Sequence, residues 1–374
     1  MLKRAPFFSE SLRMTLTASL RFSSLKTLAV AAALCASAVG ASAQEKVTFA
    51  YPTNISLSNA PTLMAIGMGY FKEAGLDVDV RFFQGSSVMM PQVTQKHIQF
   101  GWMAPDTLIT SQQPGKDALP VKMFYNGIYL SPYEVVVLKN SPVKSLEDLK
   151  GKKVGVGAMS WANLPATKAM LKDHKYELGK DYEFVPVGVG PTAFRALADG
   201  KIDALNLFDT FHIQMETNGA ELRRLPQKAI YQELFSNGWI AHEDTLKSRP
   251  DLVVKFSKAA AKGVVACNAN VTACVKNFWA LYPNTKPVDG SEDKKLADAV
   301  AQLKARLHTM LPAQGPAQMG YFTDKSWTNY VDVLFAGGHL STKEIKVDRL
   351  YTNQFVKEIN NFDVAAVEAA AKAK

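Results

Sequence analysis

The chain has 374 residues, with 43 Lys and Arg against 34 Asp and Glu, for a formal charge of +9 at neutral pH. Its basic residues are scattered and form no stripe interleaved with aromatics, which argues against a nucleic-acid partner. The six histidines share no spacing such as HxxxH, so no metal site is expected.

The first 43 residues read as a secretory signal peptide. Lys3, Arg4, Arg13, Arg21 and Lys26 precede an apolar run over 28–39, and Ala41-Ser42-Ala43 offers a small-x-small cleavage site. Met14 is a second candidate start. The apolar run is too short to span a bilayer, and Leu34 before Cys35 does not fit a lipoprotein signal. The remaining chain, about 330 residues with a charge near +5, is expected to be exported and soluble, and is more than one core usually holds. Two lobes are the default expectation.

Beyond the leader, strand and helix patterns alternate, the signature of an α/β fold with covered sheets. The spacing predicts a strand over 47–51, a helix over 60–74 capped by Gly75, a strand over 76–83, a helix over 86–96, and strands over 98–103 and 121–125. A second unit begins after Ser131-Pro132. Its strands are expected at 134–138, 153–157, 182–187 and 202–208, with a capping box at Ser145 and helices over 162–172 and 192–198. The rest reads as helix: a pair within 250–282, then 296–311, 326–336 and 364–374.

One echo links the two units. KHIQFGWMAPDT (96–107) and GKIDALNLFDT (200–210) each come after an amphipathic helix and each end on Asp-Thr. Both read as the third strand of a β-α-β-α-β unit, at the cost of a one-residue gap. Asp106 and Asp209 would then sit at carboxyl ends of strands, where α/β sheets place their ligands. They would suit an amine or amidine edge, or simply cap the next segment of chain.

Three strand-to-helix turns are small and polar: Gln84-Gly85-Ser86-Ser87, Gly157-Ala158-Met159-Ser160 and Gly188-Val189-Gly190-Pro191-Thr192. Helix N-termini present unpaired N–H groups and partial positive charge. Two such turns, one per lobe, would clamp an anion without a buried Lys or Arg; ordinary N-capping is the plainer reading. None matches a P-loop or a complete GxGxxG, so a nucleotide site is not expected. Tyr51, Trp102, Tyr125, Trp161, Phe208 and Trp239 offer stacking surfaces or core. GxSxG is absent and no catalytic set emerges.

Cys267 and Cys274 lie in CNANVTAC. On one continuous helix their rise alone separates them by about 10 Å, beyond disulfide reach. Asn270 is a good N-cap, and a break there would permit a bridge. A disulfide and two buried thiols both remain open.

GYFKEAGLDV, SLEDLKGKKVGVG (145–157), ALADGKIDAL (196–205) and RPDLVVKF (249–256) together resemble ABC-transporter solute-binding proteins of the nitrate/sulfonate/taurine type, which share a domain with thiamine-pyrimidine-synthesis proteins. The resemblance runs from about residue 47 to 282. It implies the type II periplasmic-binding-protein fold: two α/β lobes joined by two crossover strands, with a ligand cleft between. Lobe 1 would take 44–128 and 236–345, lobe 2 would take 129–235, and a helical segment would close the chain over 346–374. Gly127 and Gly238 would serve the hinge. Ligand contacts carried over by position are Tyr51, Asn54, Gly85, Ser86, Ser87, Pro105, Asp106, Ser160, Trp161 and Asp209. His97 and Gln99 depart from the Gly and Asp usual in that turn.

The resemblance further implies a periplasmic monomer, without cofactor, that closes around a small organic solute and delivers it to a permease and ATPase in the inner membrane. Sulfonate, carboxylate and pyrimidine-like or other aromatic ligands all fit the turns and aromatics. The rivals are a thiamine-pyrimidine-synthesis enzyme on the same fold, although its cysteine-rich iron-linked motif is missing, and a ligand sensor.

Overall fold

The computed structural model describes residues 44–161 and 163–374. The proposed leader lies outside them. Among the described residues no helix is long and apolar enough to cross a membrane, and no His/Cys/Asp/Glu cluster suits a metal ion.

Strands form where β-branched and aromatic residues alternate or run together. In the first half of the chain these are β1 (Glu45–Tyr51), β2 (Leu76–Phe82), β3 (Phe100–Met103) and β4 (Val121–Asn126). The second half-unit contributes β5 (Tyr133–Leu138), β6 (Lys152–Val156), β7 (Tyr182–Pro186), β8 (Ala204–Phe208) and β9 (Leu222–Arg224), and the chain then returns through β10 (Gly238–His242).

Two five-stranded sheets result, ordered β2-β1-β3-β10-β4 and β7-β6-β8-β5-β9. The orders are equivalent strand for strand. In each sheet a parallel trio meets an antiparallel strand that enters from a crossover: β10 against β3, and β5 against β8.

The crossovers run through 127–132 and 225–237 and hydrogen-bond to each other. Gly127 N donates to Asn237 O at 3.2 Å, Ser236 N to Ile128 O at 2.9 Å, and Ser131 N to Gln232 O at 2.9 Å. Neither Gly127 nor Gly238 has a left-handed backbone. A Cβ on Gly127 would lie 1.9 Å from the Trp102 ring, and one on Gly238 would lie 2.2 Å from the Tyr125 carbonyl oxygen. Close packing, not backbone freedom, is what these two glycines visibly supply.

The first sheet's core is aromatic. Phe100 stacks on Phe256 at 4.3 Å between ring centroids, and Phe49, Tyr51 and Trp239 pack around them, all essentially inaccessible to solvent. Each such ring contributes roughly 1.5–3 kcal/mol by leaving water. The long helix Pro250–Ala269 supplies Phe256 and crosses helix Ala60–Gly67 so closely that a Cβ on Gly263 would meet the Ala65 amide at 2.7 Å. That helix ends where Asn270 caps the next, its side-chain oxygen accepting from Ala273 N, and Cys267 and Cys274 are bridged across the break.

Several boundaries shift for physical reasons. The single helix expected over 60–74 is two, Ala60–Gly67 and Tyr70–Glu73, because Gly69 is left-handed at φ 77°. In the unusual turn after helix Ser86–Thr94, the left-handed residue is Lys96 at φ 61°, and not His97. Lys96 thus takes the place Gly200 holds at φ 68° in the other sheet. Helix Leu164–Lys172 starts two residues later than its sequence suggests. Two late helices also reach the second sheet's side: Glu292–Met310 packs on Asp209–Thr217, and Asp324–Ala336 on Leu164–Lys172.

Candidate functional site

A narrow cavity of about 80 Å³ opens between the carboxyl ends of the two parallel trios. One wall comes from the turn after β2. Gly85, at φ 121°, is the N-cap of helix Ser86–Thr94, a conformation that favours glycine. Its carbonyl accepts from Val88 N and Met89 N, so the first amides of the helix, those of Ser86 and Ser87, have no intrahelical partner. The opposite wall is Ser160, whose Oγ would lie 3.9 Å from a Cβ on Gly85. The two small polar turns therefore face each other across the gap.

They are not two helix N-termini. Ser160 and Trp161 form a turn of their own, and the helix begins at Leu164, with Asn163 as its cap residue. Buried Asn206 on β8 anchors this region: its Oδ1 accepts from Thr167 Oγ1 at 2.9 Å and from Asn163 Nδ2, and its Nδ2 donates to Glu134 O at 3.1 Å. Gly157 makes room for the Trp161 ring, which would sit 2.4 Å from a Cβ there. Trp161 then stacks on Phe208 with centroids 5.7 Å apart. With Trp102 and Ile128 these rings make the cavity's apolar side.

Its charge comes from Arg306, which no sequence motif singles out; the expected anion clamp without a buried base is corrected here. Arg306 lies on helix Glu292–Met310, is 4% exposed, lines the cavity, and stands 5.2 Å over the Phe208 ring. Its Nη2 donates to Asp209 Oδ1 at 2.6 Å, while its Nε and the second Asp209 oxygen have no protein partner. Burial pushes the Asp209 carboxyl up, and the adjacent guanidinium pulls it back. Such a pair is costly to break, since either half would be left charged and buried. Tyr133 also lines the cavity; burial raises its phenol above the ordinary range, so it is a neutral donor.

The other residues carried over by position are dispersed. Tyr51 is in the aromatic core beneath the site, and Asn54 accepts a hydrogen bond from Gln84 Nε2 at 2.6 Å, joining the loops after β1 and β2. Ser87 is exposed beside the cavity, Pro105 is buried at the start of helix Asp106–Ser111, and Asp209 stands behind Arg306. Asp106 lies in an adjoining pocket with Ser160, Trp161, Lys168 and His339. Its Oδ1 is buried without a partner, and burial pushes its carboxyl up to about 7.

A two-lobed frame with facing polar turns, an aromatic wall and one buried cation defines a protein built to enclose a small solute. The chain belongs to the NMT1/THI5-like family, whose family model matches residues 57–271. The riboflavin-binding protein RibY of Chloroflexus aurantiacus is 24% identical over 316 residues, 83% of this chain and 86% of that protein. The periplasmic aliphatic sulphonate binding protein SsuA of Escherichia coli superposes with a TM-score of 0.60 at 14% identity, covering 82% of this chain and 91% of that one. The desulfurization enzyme DszB superposes at 0.55 and 15% identity, over 85% and 99%. The fold is that of the periplasmic binding proteins.

Proposed function

We propose that this protein is the solute-binding component of an ABC importer. It would be exported to the periplasm as a monomer, capture a small organic anion with an apolar or planar body, and pass it to a membrane permease and its ATPase. Lobes over 44–128 with 236–345 and over 129–235 would close by bending the paired crossovers, because ligand contacts from both sides exist only in the closed state. The 346–374 segment would stay with the first lobe.

The observation that carries this reading is the approach of Gly85-Ser86 to Ser160 with Arg306 lining the same space. Free helix amides, two hydroxyls and the guanidinium of Arg306 along the cavity wall favour a carboxylate or sulfonate, and Trp102, Trp161 and Phe208 favour a ring beside it. A planar heterocycle of the pyrimidine or flavin kind is the second reading, favoured by the Trp161–Phe208 stack. Catalysis is not part of the proposal: among the described residues no His, Lys or carboxylate hydrogen-bonds Ser86 or Ser160, and both described cysteines are in the disulfide.

The test is calorimetric titration of ligand-stripped protein with benzoate, benzenesulfonate, benzyl alcohol and riboflavin. The charge-neutral double variant Arg306→Gln with Asp209→Asn avoids an unpaired buried ion. It should weaken the anions roughly 10–100-fold, the worth of a charge-assisted hydrogen bond, and leave benzyl alcohol within about threefold. Equal losses for anion and alcohol, or no binding of either anion, would exclude the anion reading; tight riboflavin binding alone would select the second.

A further inference from the structure

Helix Glu292–Met310 is joined to the first sheet by its apolar face: Ala299, Leu303, Leu307 and Met310 are buried in that core. Helix Asp209–Thr217 is joined to the second, through Met215. The seam between these helices is therefore a boundary between the proposed lobes. Among the described residues, two hydrogen bonds cross it, one at each end of Asp209–Thr217. Arg306 meets Asp209 in the first turn, beside the cleft. At the far end, Lys294 Nζ donates to Thr217 O at 3.0 Å.

The last carbonyls of a helix lack intrahelical donors and carry partial negative charge, so an ammonium suits that end. Among the described residues no backbone amide bonds to Thr217 O. One turn along its own helix from Lys294, Asp298 Oδ2 accepts from the same Nζ at 2.7 Å and holds it toward the seam. Lys294 lines no part of the cleft cavity. It stands on a separate groove of about 530 Å³, with Gln214 and Thr217 on one side and Gln302 on the other.

We propose that Lys294 is a positioning residue for solute capture: its bond to Thr217 latches the closed frame and scales affinity for every cleft solute while touching none. On the hinge-closure reading, on which this rests, the helices part as the lobes open and water replaces the bond. The Lys294 side chain is 55% exposed. The latch therefore has the worth of an exposed contact, about two- to fivefold in the closed-to-open ratio. Where the open form dominates without ligand, apparent affinity follows the closed fraction.

Spin labels on Val288→Cys and Asn140→Cys, exposed positions in different lobes, report lobe separation in the full mature protein by double electron–electron resonance. Without ligand, Lys294→Met should lower the closed-to-open ratio about two- to fivefold, and Lys294→Arg should restore it. Calorimetry should show benzoate, benzenesulfonate and benzyl alcohol all weakened by that one factor in Lys294→Met. The latch is overturned by an unchanged ratio, by a lowered Tm without a shifted ratio, by Lys294→Arg behaving as Lys294→Met, or by unequal losses for anion and alcohol. A ratio that shifts and is restored by arginine upholds the latch even where neither anion binds, an outcome that overturns the anion reading alone.

Discussion

Asp106 opens a helix yet is buried, with one carboxylate oxygen unpartnered, and burial pushes its proton affinity up to about pH 7 against the pull of its own and Thr107's amides. An unfolded Asp titrates near 3.9, so between about pH 4 and 7 the native state binds the extra proton. Stability therefore falls as pH rises through that window and levels off above it. Asp106→Asn removes the titration. The variant's Tm should match wild type near pH 4 and exceed it by several degrees near pH 8; parallel Tm curves across that range would refute the assignment. The echo of Asp-Thr endings marks Asp106 and Asp209 in the sequence, but Arg306 escapes notice there because a lone charge on an amphipathic helix normally reads as solvated. A signal is present. Ala299, Leu303, Arg306 and Met310 are buried in heptad-like steps of four, three and four, so the arginine occupies a core position of its helix.

The equivalence of the two sheets explains what the echoed segments do as elements. Asp203 accepts from Lys153 N at 2.9 Å while its own amide donates to Lys153 O, fixing β8 against β6. Gln99 does the same for β3 against β1, its Oε1 accepting from Thr48 N at 2.8 Å and its amide donating to Thr48 O. The departure of Gln99 from the usual Asp is thus a change of side-chain length that keeps the hydrogen bond. Strands and most helices are legible because apolar period and caps agree locally, as at Ser145, Asn270 and Gly75. The split at Gly69 is not, because an isolated glycine inside an apolar run gives no sign whether it bends the chain. At Asn270 the break decides cysteine chemistry, closing a loop of about eight residues, for which the chain-entropy relation gives about 2.5 kcal/mol. Urea unfolding of the double variant Cys267→Ala, Cys274→Ala should show a loss of that order, with the cleft's ligand affinity unchanged. An unaltered midpoint would mean the bridge adds nothing.

For the whole molecule, the free space in the cleft is the informative quantity. About 80 Å³ between Gly85-Ser86 and Ser160 is far below the several hundred of a typical ligand pocket, and on the proposed hinge mechanism this is the closed frame. Two lobes can be expected from length and alternation, and their crossovers from the family resemblance, but not the ties from helices Glu292–Met310 and Asp324–Ala336 onto the second sheet, which arise from contacts distant in sequence. In the proposed opening the crossovers would bend while the late helices slide on Asp209–Thr217 and Leu164–Lys172. A solute of more than a few heavy atoms exceeds the room the cleft now offers. Small-angle X-ray scattering should therefore show ligand-stripped protein with a larger radius of gyration than the closed frame, returning to the closed profile when a cleft ligand saturates it. The Arg306→Gln, Asp209→Asn variant should stay open at benzoate concentrations that close the wild type. A profile that fits the closed frame with and without ligand would show that entry needs no lobe motion, and hinge closure would have to be abandoned.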